Sequence, residues 1–158
     1  MMIVGSDSIN NNSGSFNTSM RREGPNVYIE TYAESGIVAN SPAEIRWKGS
    51  GYTAGSMNHT ASRKAYIGIP RNGAAIASGC VGWVQVRGKV EDAQGAGSLY
   101  FSGSIGHGVY WVASSSGIGA SGSAYLVDGN HVGFLLQEGN VSTTADIYLT
   151  GVWASPVA

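Results

Sequence analysis

No window of 12 residues in this chain carries a helical apolar stripe free of glycine, whereas short apolar runs with a period of two recur from Val27 to Val152. Successive side chains on a strand point to opposite faces, so such runs bury one face and wet the other. Val27–Tyr32 sets Val27, Ile29 and Thr31 on one side and Tyr28, Glu30 and Tyr32 on the other. Further strands are expected over Ala43–Lys48, Lys64–Ile69, Val81–Val90, Ser98–Ser102, Gly108–Val112, Ser123–Val127, Val132–Glu138 and Ala145–Val152. Val84, Val86 and Val90 share a face, with Gly88 expected at a bulge or a close backbone approach. Gly49–Ser62 reads as loop, Arg71-Asn72-Gly73 as a hairpin turn, and Asp128-Gly129-Asn130 and Glu138-Gly139-Asn140 as further turns. Many short strands with such punctuation predict an all-β protein, a compact β-barrel or β-sandwich of short antiparallel strands.

A change of texture near residue 26 divides the chain. Residues 1–26 are polar, with Ile9 and Phe16 as isolated apolar anchors and neither strand nor helix periodicity, and read as an extended N-terminal arm that is either flexible or ordered against a neighbour on assembly. Residues 27–158 are the β domain, most regular over 73–153. A chain of 158 residues can bury a real core.

Charge is sparse and unevenly placed. Charged residues are 12% of the chain, and glycine supplies 24 positions, so solubility rests on amides and hydroxyls. Residues 1–89 hold nine Lys/Arg against five Asp/Glu, a balance of +4, and residues 90–158 hold none against five, a balance of −5. Such a polarised, weakly charged molecule suits a place between other protein surfaces. The single Cys80 cannot form an internal disulfide and reads as a small buried apolar residue. Met1-Met2-Ile3-Val4 lacks the basic region and apolar run of a signal peptide, and no stretch approaches the roughly 18 apolar residues of a membrane helix. The expectation is a soluble product of a cytoplasm with no membrane partner.

Several apparent motifs fail on context. Gly117-Ile118-Gly119-Ala120-Ser121-Gly122 matches a dinucleotide fingerprint by letter, but a strand pattern follows where a helix N-terminus is required, so a flexible hairpin loop is expected. Gly82 to Lys89 has the wrong spacing for a phosphate loop. His59, His107 and His131 are unpaired in sequence, so no metal or cofactor is expected. Glu91-Asp92 point to opposite strand faces and read as solvated turn charges, unlike a paired glycosidase dyad. Tyr28, Tyr32, Trp47, Tyr52 and Tyr66 lie among basic residues as in a base-stacking surface, yet five acids share that region and the sequence pI of about 6.3 is below neutrality, so no nucleic-acid partner is expected. Trp47, Trp83, Trp111 and Trp153 are expected in core and interface packing. With no nucleophile-base pair in the local sequence, a non-enzymatic protein is expected.

Val84-Gln85-Val86-Arg87-Gly88-Lys89-Val90, then Gly108-Val109-Tyr110-Trp111-Val112, Val132-Gly133-Phe134-Leu135-Leu136 and Thr144-Ala145-Asp146-Ile147-Tyr148-Leu149-Thr150-Gly151 form a rhythm of strands and glycines. Through these segments the part from Gly73 to Trp153, about half the chain, resembles the small capsid decoration, or cement, proteins of tailed bacteriophages. The resemblance implies a β-barrel-like body assembled as a homotrimer, bound to the outer surface of an icosahedral capsid and bridging neighbouring major capsid protein subunits. It implies a virion location after synthesis in the host cytoplasm. About 70 residues precede the matched part, a departure from the family. Ile9, Phe16, Arg21 and Arg22, with Arg46, Lys48, Arg63 and Lys64, are the expected capsid or protomer contacts. The alternative reading is a glycan- or receptor-binding β domain of a phage fibre or surface protein, because Trp and Tyr with Asn, Asp and Gly on loops suit sugars.

Overall fold

A computed structural model describes residues 20–48, 51–57, 65–95, 101–112, 117–120 and 130–154, and among them there is no α-helix. The strands in chain order are β1 (Met20–Glu23), β2 (Asn26–Ala33), β3 (Ala43–Lys48), β4 (Gly51–Ser56), β5 (Ala65–Pro70), β6 (Val81–Gln94), β7 (Phe101–Gly103), β8 (Gly108–Val112), β9 (Gly117–Gly119), β10 (His131–Leu135), β11 (Gly139–Ser142), β12 (Thr144–Thr150) and β13 (Trp153–Ala154). The all-β class expected from period-two alternation is therefore the class adopted.

Five strands close on themselves in the order β2-β4-β3-β5-β6, with β6 returning to β2. Directions cannot alternate around a ring of odd number, so one pair must run parallel. That pair is β2 with β4, in which Tyr32 faces Thr53 and Ala33 faces Ala54. Every other named pairing is antiparallel. Closure removes sheet edges and encloses a core of Ile29, Ala33, Ile37, Ala43, Ile45, Ala54, Ile76, Val84 and Val86. Half-buried Cys80 packs against this core, in keeping with its apolar reading.

The long strand β6 belongs to two bodies. Its residues from Val81 to Arg87 pair with β2, and those from Arg87 to Gln94 pair with β12. Arg87 is shared, facing Val27 on one side and Thr150 on the other. The change of partner falls beside Gly88, whose φ is +102° and whose Cβ, if it had one, would lie 1.9 Å from Asn26 Oδ1 and 2.9 Å from Asn26 Cα. Only glycine accommodates both the left-handed backbone and that approach. Beyond the hand-over the sheet continues as β12-β10-β8-β9 over a second core that includes Val90, Phe101, Val109, Trp111, Ile118, Leu135, Ile147 and Leu149.

Several local expectations are corrected. Gly51–Ser56 is a strand within the segment read as loop. It is poor in apolar side chains, but β3 and β2 on its two sides satisfy its backbone groups. Asn72-Gly73 do form a turn of positive φ (56° and 65°), yet not a tight hairpin. The chain continues to an Ile37–Ile76 bridge before β6 begins. Gly117–Gly119 is a strand on β8, with Ile118 buried opposite Trp111, in place of a flexible loop. Gly139–Ser142, overlapping the turn expected at Glu138-Gly139-Asn140, pairs with β7. Strand pairing also begins earlier than Val27. β1 lies antiparallel to β2 with Met20 opposite Ile29, and its polar sequence fits the sheet edge it occupies. Ile9, Phe16, His59, Arg63, Lys64 and the strand expected over Ser123–Val127 fall outside the described residues.

Candidate docking face

The outer face of the β12-β10-β8-β9 part of the sheet is built strand by strand. On β12 the alternation buries Ala145, Ile147 and Leu149 and leaves Thr144, Asp146, Tyr148 and Thr150 half-buried on the opposite side. Tyr148 stands across from Phe134 of β10 on one side and Lys89 of β6 on the other. Phe134 in turn faces Gly108 of β8. In a regular strand His131 and Phe134, three residues apart, would point to opposite faces. The register shift between His131 and Gly133 brings them to one face. The His131 ring stands 4.6 Å from Phe134 at 62°, and 5.3 Å from Tyr110 at 66°. Both pairs have the edge-to-face geometry that aromatic quadrupoles favour.

Tyr110, His131, Phe134 and Tyr148 thus present a ring-bearing surface with Phe134 40% exposed at its middle. Exposed Leu136 follows at the end of β10, where the turn carrying exposed Ile105 is tied on by a hydrogen bond from Gly106 N to Leu135 O of 2.9 Å. Arg87 and Lys89 are exposed at the β6 border. Lys89 donates to Glu91 at 2.9 Å and is 3.3 Å from Asp146, and these contacts, Glu91 first, hold its ammonium above its ordinary pKa. The face offers apolar area, polarisable rings and a charged rim, the chemistry of adhesion to another surface.

Burial pushes the His131 imidazole below its ordinary value of 6.5, although a hydrogen bond with the Gly133 backbone works the other way. A depressed histidine takes up its proton more readily in the unfolded chain, so this contribution to stability is present above about pH 6.5 and lost as pH falls through the folded value. The thermal midpoint is expected to fall between about pH 7.5 and pH 5.5, and His131→Gln to flatten that part of the curve. Identical profiles for parent and variant would remove His131 as the cause.

The basic residues singled out in the sequence occupy two separate places. Arg21 of β1 is 2.5 Å from Glu23, which Arg71 also reaches at 3.0 Å while lying 5.3 Å over the Tyr28 ring. Arg22 is exposed and donates to Gly24 O at 3.2 Å. On β3, Arg46 pairs with buried Glu44, and Lys48 is 2.5 Å from Glu34. Strands β2 and β4 separate the two groups in the barrel wall, so they do not merge into one basic patch. Tyr28 is buried, and Tyr52 and Tyr66 pack against the barrel core. Trp47 is 52% exposed with Tyr52 edge-on at 5.0 Å, whereas Trp83 and Trp111 are buried. No group of three or more His, Cys, Asp or Glu able to hold a metal occurs among the described residues.

The ring face itself was not singled out in the sequence. Tyr110, Phe134 and Tyr148 appeared there only as members of strands, and the bulge that turns His131 onto their side leaves no local signature. No protein-family profile, curated protein or solved structure matches this chain. By fold it is an all-β protein, a closed five-stranded barrel with extra strands that continue its sheet.

Proposed function

We propose that the protein is a non-enzymatic virion structural protein that docks on the outer surface of an icosahedral phage capsid through its ring-bearing face and stabilises contacts between major capsid protein subunits. The observation that carries this reading is the contiguous, partly exposed set Tyr110, His131, Phe134 and Tyr148 on a chain with little charge. Aromatic groups surrounded by a polar rim concentrate binding energy at protein interfaces. The strands that present these rings, β8, β10 and β12, are among those that carry the resemblance to capsid decoration proteins. Self-association as a homotrimer belongs to the same reading, since a closed cyclic assembly hides an apolar surface without open-ended growth.

Decoration of expanded empty capsids, followed by co-sedimentation, tests the proposal. Phe134→Ser combined with Tyr148→Ser is expected to weaken decoration by about tenfold or more, as loss of a hot spot does. The thermal midpoint should stay within a few degrees of the parent, because both rings lie outside the core. Undiminished decoration by the folded double variant would refute the assignment of this face.

A further inference from the structure

A polar cleft of about 460 Å³ opens between the start of β2, the turn after β5 and the second half of β6. Its size falls within the range of small-ligand sites. All three non-glycine residues of positive φ among the described residues line it: Asn40 at 56°, Asn72 at 56° and Asp92 at 51°. Backbone of this kind persists only where its surroundings hold it, and it concentrates at binding sites. Here the surroundings are explicit. Asn40 N donates to Gly73 O at 3.2 Å, Gln94 N donates to Asn40 O at 2.9 Å, and Asp92 N donates to an Asp146 carboxylate oxygen at 3.2 Å. The loop before β3, the turn after β5 and the bulge of β6 are thereby locked together.

The lining selects the ligand class. Carboxamides of Asn40 and Asn72 both donate and accept, the Glu91 and Asp92 carboxylates accept, and Pro70 and Val90 supply an apolar wall. An anionic ligand is disfavoured by the two carboxylates, because the one ammonium present, Lys89, is already shared between Glu91 and Asp146. A purely apolar ligand would strip water from amides without replacing their hydrogen bonds. Hydroxyl groups on a compact ring with apolar C–H faces meet all of these conditions. We propose that the cleft bounded by Asn40, Asn72 and Asp92 is a saccharide-binding site that takes one neutral sugar ring.

The test uses the full chain and free monosaccharides, with glucose, galactose, mannose and N-acetylglucosamine as probes up to tens of millimolar, read by saturation-transfer and amide-shift NMR. At least one is expected to bind, with shifts at Asn40, Asn72 and residues 89–92. Asn72→Gly and Asp92→Gly remove the polar groups while keeping the left-handed backbone, and each should weaken binding by about tenfold. Absence of binding by all four sugars, binding unchanged in both variants, or shifts at these residues with calcium ion alone would overturn the proposal. The Phe134→Ser and Tyr148→Ser variant should bind sugar like the parent and the glycine variants should decorate capsids like the parent, so failure of one site is distinguishable from failure of the other.

Discussion

Replacing Trp111 with alanine is expected to destabilise the protein by about 3–5 kcal/mol, the range for emptying a large buried aromatic site. The indole is fully buried among Phe101, Ile118, Leu135, Ile147 and Leu149. Its backbone is also clamped: Trp111 N donates to Asn130 O at 2.9 Å, and Asn130 Nδ2 donates back to Trp111 O at 3.4 Å. Against a typical total of about 5–15 kcal/mol, such a loss leaves the second core marginal. Trp111→Phe should cost less than half as much, because the buried indole N–H has no hydrogen-bond partner among the described residues and its removal forfeits none. Denaturant midpoints of the two variants decide the matter. An alanine variant as stable as the parent would mean that the indole is not buried in solution.

The second large effect is expected from Gly133→Ala, a change of one methyl group. Gly133 of β10 faces Leu149 of β12, and a Cβ there would stand 2.3 Å from the carbonyl oxygen of Tyr148 and 3.1 Å from its carbonyl carbon. Those are backbone atoms, so no side-chain rotation relieves the clash. The strands must separate, at a cost of at least about 1–3 kcal/mol. Separation also disturbs the register that sets Phe134 opposite Tyr148. On the proposed capsid-docking reading, Gly133→Ala should therefore lose stability and decoration together, whereas the ring substitutions should lose decoration alone. Hydrogen exchange should quicken in β10 and β12 and remain near parental rates in the barrel strands β3 and β4. Parental exchange throughout would show that the two strands tolerate the methyl group.

Much of the strand inventory could be read locally, because alternation is written into each segment. Ala43–Lys48 and Gly108–Val112 have the expected bounds, and the 144–150 strand shows the alternate burial its residues imply. Among the strands not marked by alternation, Gly51–Ser56, Gly117–Gly119 and Gly139–Ser142 are poor in apolar side chains. They are strands because neighbours complete their hydrogen bonds, and a neighbour distant in sequence leaves no mark on local pattern. The same limit applies to the sites. Asn40, Asn72 and Asp92 are unremarkable in sequence, and the β6 bulge, the turn after β5 and the loop before β3 bring them to one cleft.

By itself the sequence determined the all-β class and the absence of long helical stripes, and it narrowed Gly88 to a bulge or a close backbone approach, since each follows from side-chain period or from a single residue's steric freedom. Only the tertiary structure decided between barrel and sandwich, through the pairing of β2 with β6 that closes the ring. It also decided that Arg21, Arg46 and Lys48 meet acidic partners within the molecule and that four rings converge on one face. Register and closure arise from contacts between segments far apart in the chain, where a shift of one residue exchanges the two faces of a strand.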